Sequence, residues 1–131
     1  YRDTGTPEEA LDDVESDLAS LALPFDAVVL GMGNDGHTAS FFPGGDRLAE
    51  ALDPDSSLRV LPMRAPGAGE PRITLALPPL LAARHLYLHV EGAQKQAVLA
   101  QAASGTGEGA AYPIRTVLRH ARSPLATYWC A

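Results

Sequence analysis

Cysteine and lysine are nearly missing from this chain. Cys130 is the only cysteine. No disulfide can therefore close within the chain, and a lone thiol suits a reducing cytoplasm. The apolar ending "LATYWCA" points to a buried structural thiol rather than a nucleophile. Lys95 is the only lysine; the other nine of the ten basic residues are arginine. Against 16 acids they leave a net charge of −6, the opposite of the basic surface that nucleic acid demands. No apolar run approaches the roughly 18 residues of a membrane-spanning helix, so no membrane partner is expected. There is no internal repeat. Eight of the 16 acids fall in the first 26 residues, most on one helix, where they read as a solvated face.

What is present alternates in period. Thr6 can cap a helix, Pro7 suits its first turn and Glu9 completes a capping box. Ala10, Leu11, Val14, Leu18 and Leu21 then recur at helical spacing, until Pro24. The wholly apolar Ala27–Leu30 reads as a strand buried on both faces. A glycine-rich stretch follows, then a short helix over 46–52 and a strand over 58–61. Residues 62–71 ("PMRAPGAGEP") form a Pro/Gly loop. Further on come a strand over 73–77, a short helix from Pro78 to Ala83, a strand over 85–90 and a helix from Gly92 to about Ala103. Residues 104–109 ("SGTGEG") read as a flexible connector. A helix over 113–120 and a strand over 125–130 close the chain. Strands alternating with helices imply βαβ units around a mostly parallel sheet, an α/β fold. Ligands bind beyond the carboxyl ends of such strands. Gly31–His37 and Glu91–Lys95 both lie at such ends.

The stretch "VVLGMGNDGHTASFFPG" carries Gly31, Gly33 and Gly36 in the G-x-G-x-x-G spacing of a dinucleotide turn. Two supports of that reading are missing. Pro43-Gly44-Gly45 stops any helix within about two turns, where a pyrophosphate needs a long one. Asp53 and Asp55 precede the next strand instead of ending it, so no acid is placed to hold a ribose. The loop offers something else. Its glycines let backbone approach a ligand closely, and the turn Asn34-Asp35-Gly36 brings Asp35 near His37. An imidazole at a rim can take a proton at neutral pH, and a carboxylate can orient it. On spacing alone, a turn aspartate and a backbone-bonded histidine fit equally well.

The whole string "LGMGNDGHTASFFPG" resembles the 6-phosphogluconolactonase signature LGMGxDGHTASLFPG. "LPFDAVV", "PRITLALPPLLAARHLYLHVEGAQKQAVL" and the ending "SPLATYWC" resemble that family too, so the likeness covers nearly the whole chain. It implies a Rossmann-like α/β sandwich, shared with glucosamine-6-phosphate deaminases. It also implies hydrolysis of 6-phospho-D-glucono-1,5-lactone to 6-phosphogluconate, a pentose phosphate pathway step that needs no metal or organic cofactor. His37 matches the family's catalytic histidine and Asp35 its neighbouring acid. Lys95 matches the lysine associated with the sugar phosphate, and Arg72 the arginine of an "R-[VI]-T" motif. Gly31, Gly33 and Gly36 would line the substrate, with loop N–H groups near Gly33 and Gly36 as candidate oxyanion donors. Many relatives carry a lysine in the Pro/Gly loop; here Arg64 is the nearest cation.

The deaminase cousin resembles DGHIAFNEPG in this loop, with a glutamate where this chain has Phe42. Phenylalanine cannot relay protons, and Thr38 and Ser40 follow the lactonase pattern. A non-catalytic sugar-phosphate-binding module is a third reading. Members of the family run to about twice this length and carry "GGSTP" and "DER" motifs absent from these residues. Tyr1-Arg2-Asp3 matches a point just past them. The chain is thus expected to be the C-terminal part of one larger domain, its partner the missing N-terminal half, and to have little lactonase activity alone. His85 and His89 do not suggest a metal: on a strand they stand about 13 Å apart.

Overall fold

A computed structural model describes residues 4–122 and 125–131. Tyr1–Asp3, and the Ser123-Pro124 that open "SPLATYWC", lie outside the described residues. Helix α1 (Pro7–Ala19) starts at Thr6, whose hydroxyl accepts the Glu9 N–H at 3.4 Å. The Glu9 carboxylate in turn accepts the Gly5 N–H at 3.0 Å, one residue ahead of the usual capping-box donor.

Strands β1 (Ala27–Leu30), β4 (His85–Glu91) and β5 (Ala126–Cys130) form a parallel sheet in the order β1-β4-β5. Ala27 pairs with His85 and Leu30 with Leu88; Tyr87 pairs with Ala126 and Glu91 with Cys130. Parallel strands need a crossover. Between β4 and β5 it is made by α4 (Ala93–Ser104) and α5 (Pro113–His120). These helices cover one face of the sheet: Leu88 and Val90 join Val98, Ala102, Ile114 and Val117 in one core cluster. On the other face Val29 and Tyr128 are more than half exposed.

The β1–β4 connection carries the second layer. It holds α2 (Leu48–Ala51), β2 (Val60–Met63), β3 (Arg72–Leu75) and α3 (Leu77–Leu81). β2 and β3 form a separate antiparallel pair, Val60 opposite Leu75 and Met63 opposite Arg72. Pro62 therefore lies inside a strand that the sequence reading ended at Leu61. A two-stranded pair leaves each strand one free edge, where a missing N–H costs no ladder bond. β2 is buried throughout, with Leu61 and Met63 fully so. Leu77 belongs to α3 and not to the preceding strand. The helix expected over 46–52 is only the single turn Leu48–Ala51.

Two further expectations change. The acids of α1 are not merely solvated. Glu8 binds Arg64 through both guanidinium nitrogens at 2.6 and 2.8 Å, and Glu15 binds Arg59 at 2.7 Å. These arginines flank β2, so α1 is fastened at two points, seven residues apart, to the hairpin. The 104–109 connector is ordered: Gly107–Ala111 form a 3-10 turn, with the Gly109 backbone tight against Gln101 of α4.

Candidate active site

β1 ends at Leu30, and the chain turns at the carboxyl end of the sheet. Four hydrogen bonds shape the turn. The Gly33 N–H donates to His37 O at 2.9 Å and the Gly36 N–H to Gly33 O at 3.1 Å. The fully buried Thr38 hydroxyl donates to Gly31 O at 2.7 Å, tying the two ends of the loop together. The Ile114 N–H donates to Gly36 O at 3.0 Å, which pins the loop to the start of α5. Gly36 has φ +74°, and a side chain there would run into the Tyr112 ring. The N–H groups of Gly33 and Gly36 are thus both engaged inside the loop.

This turn folds Asp35 back on His37. Asp35 Oδ1 stands 2.6 Å from His37 Nδ1 and also accepts the His37 backbone N–H at 3.2 Å. A methyl group on Gly33 would collide with His37 Nδ1 and Asp35 Oδ1, so only glycine lets the imidazole lie over this backbone. Partial burial pushes the Asp35 carboxyl up, but the hydrogen bonds and charge of His37 outweigh it. The carboxyl is held below its ordinary 3.8 and is ionised at neutral pH. An ionised carboxylate can only accept. It therefore holds the proton on Nδ1 and leaves Nε2 as the basic nitrogen. Nε2 has no hydrogen-bond partner among the described residues.

A third group completes the setting of the imidazole. Its ring stacks on Phe42, centroids 4.3 Å apart and planes inclined at 28°. Phe42 is buried, and the 3-10 turn Pro66–Ala68 comes close enough that a side-chain carbon on Gly67 would meet both Phe42 and Asp35. The Pro/Gly loop is thus the wall of the site. The contact between Phe42 and His37 was not legible in the sequence, because a five-residue separation in an irregular loop has no periodic signature. Ala39, two residues past His37, has φ +49°, a left-handed conformation that non-glycine residues seldom adopt and that clusters at functional sites.

The three candidate cations are placed differently. Lys95 stands in the first turn of α4 and has no hydrogen bond or ion pair among the described residues. Its neighbour Gln94 accepts from Asn34 Nδ2 at 3.3 Å, so the helix start abuts the His37 loop. The two strand ends do meet at one place. Arg72 donates to Ala68 O at 2.9 Å and closes the Pro/Gly turn. Arg64 is occupied by Glu8, and its backbone N–H donates to Asp46.

Cys130 is exposed and not buried, because β5 presents its side chains to solvent. His89, Glu91 and Cys130 bring ligand atoms within 4.8 Å of one another on the exposed sheet face. His89 and Glu91 are there an ordinary solvated pair at 3.7 Å.

The family described as glucosamine-6-phosphate isomerases/6-phosphogluconolactonase matches residues 1–129. A 6-phosphogluconolactonase of Rhizobium meliloti is 54% identical over 98% of this chain and 55% of its own length. One of Mesorhizobium japonicum is 45% identical over 98% of the chain and 53% of its own length. The crystal structure of a 6-phosphogluconolactonase from Shewanella baltica superposes with a TM-score of 0.88 at 38% identity. It covers 99% of this chain and 55% of that one. The chain spans about half the length of the curated relatives it matches.

Proposed function

The chain belongs to the glucosamine-6-phosphate isomerase/6-phosphogluconolactonase family, and from that premise we propose that it carries the general base of a lactonase acting on 6-phospho-D-glucono-1,5-lactone. The observation that carries the reading is the Asp35–His37 pair at 2.6 Å, with Nε2 left without a partner among the described residues. A lactone is a cyclic ester. His37 Nε2 takes a proton from water as the oxygen attacks the C1 carbonyl. The resulting imidazolium faces the Asp35 carboxylate, which stabilises it. When the C1–ring-oxygen bond breaks, Nε2 returns the proton to the departing oxygen, and the product is the open-chain acid. Base assistance of this kind contributes roughly 10²–10⁴ in rate. No step calls for a metal or an organic cofactor.

The remainder of the site supports a phosphorylated substrate. Lys95 offers an ammonium without a partner among the described residues, beside the N-terminal turn of a twelve-residue helix, and both features favour an anion. Arg72 acts more remotely, by closing the Pro/Gly turn, and Arg64 is held by Glu8. Phe42 stands where the deaminase pattern has a glutamate, which favours ester hydrolysis over amino-sugar ring opening.

The test uses the intact protein and subtracts spontaneous lactone opening. His37→Ala should lower kcat by roughly 10²–10⁴ with KM nearly unchanged. Lys95→Ala should instead raise KM, by about 10- to 100-fold for one lost charge-assisted contact. Unchanged turnover in His37→Ala rejects the mechanism. Ammonia release from glucosamine 6-phosphate by the wild type, without lactone hydrolysis, assigns the protein to the other branch of the family.

A further inference from the structure

The Asp35 hydrogen bond fixes only one edge of the His37 imidazole. The ring is also tethered through Cβ, but small rotations about Cα–Cβ and Cβ–Cγ within reach of that bond still swing Nε2 through an arc. Proton transfer to a base requires alignment as well as distance. Something must stop that swing, and the structure offers one candidate. The Phe42 ring lies against the imidazole face, centroids 4.3 Å apart and planes inclined at 28°, a close stacked contact.

Phe42 is itself well held. It is only 7% exposed. Its carbonyl accepts the Gly45 N–H at 3.0 Å, and a methyl group on Gly67 would lie 3.7 Å from both its Cδ1 and Asp35 Oδ2. The ring that touches His37 and the carboxylate that bonds it therefore both face the Pro66–Ala68 turn. Gly33 fills the space under Nδ1. Edge, face and underside of the imidazole are each in contact, and Nε2 is left open.

We propose that Phe42 is a positioning residue: its flat ring sets the plane of the His37 imidazole and so aims Nε2. The proposal rests on His37 as the base of the reaction above, but the stack itself can be tested without turnover. In the intact protein, the carbon-bound ring protons of His37, assigned by their loss in His37→Ala, should resonate upfield through the ring current of Phe42. Phe42→Leu keeps an apolar side chain of similar bulk but removes the flat face. Those protons should then move downfield, and kcat should fall roughly 10- to 100-fold with KM within about twofold. Phe42→Tyr keeps the face and should keep both the upfield shift and kcat.

A folded Phe42→Leu protein with unchanged His37 shifts, or with unchanged kcat, overturns the proposal. If Phe42→Leu fails to fold, Phe42→Tyr decides: retained shift and turnover support it, and a folded but inactive variant sinks it. A wild-type protein that shows the upfield shift without hydrolysing lactone would remove the reaction and leave the stack.

Discussion

Gly33 cannot take a side chain unless His37 or Asp35 moves. Gly33→Ala should therefore cost activity out of proportion to stability. We expect kcat to fall by roughly 10²-fold, as a displacement of about 1 Å at a reacting group does, while the thermal midpoint changes little. A variant with wild-type kcat would show that the imidazole does not rest on this backbone during turnover. Gly33, Asp35 and His37 were all legible in the sequence as a glycine turn with a rim acid and base. So was the approach of Asp35 to His37; the backbone hydrogen bonds of the loop were not. Spacing could not say that the Gly33 and Gly36 N–H groups close the loop on itself, nor that Phe42 forms one wall. Both depend on the path of the backbone through a stretch without repeat.

At the scale of elements, α1 is held by its acids. The Arg64 guanidinium, through its hydrogen bonds, holds the Glu8 carboxyl down to about 2 from an ordinary 4.5. A carboxyl depressed in the folded state contributes stability that is fully present above the unfolded value. That contribution is lost as pH falls from 4.5 through about 2. Because the pair is exposed, the effect on stability is small. Comparing Glu8→Gln with wild type, the gap in thermal midpoint should be visible near neutral pH and close as pH drops through that window. A gap that persists at pH 2 would mean that Glu8 acts through packing and not through charge. The helix itself was readable from Thr6, Pro7 and its apolar spacing. Its anchorage was not, since Glu8 and Arg64 are 56 residues apart. The β2 boundary was misplaced for a similar reason. Pro62 reads as a strand breaker until the strand is known to have a free edge.

At the largest scale, among the described residues, the sheet is covered on one face and uncovered on the other. Val29 is 67% and Tyr128 61% exposed, on β1 and β5. These apolar side chains share the face with the exposed His89 and Glu91, and exposed apolar area of this kind favours association. The 131-residue chain by itself should elute above monomer size on gel filtration, and Val29→Lys with Tyr128→Lys should bring it back towards monomer. A wild-type chain that runs as a monomer would contradict this. The sequence by itself determined the α/β class, the order of strands and helices, the turn that bears the acid and base, and the kinship with the lactonase pattern. These follow from local periodicity and from contiguous strings. Tertiary structure decided what joins distant residues: the separate β2–β3 hairpin, the clamp of α1, the exposure of Cys130 and the stack of Phe42 on His37. It also left Lys95 without a partner among the described residues, beside the loop, while Arg64 and Arg72 were engaged elsewhere. The physical reason is the same in each case: a side chain's partner is set by where the backbone carries both groups, and no spacing along the chain records that.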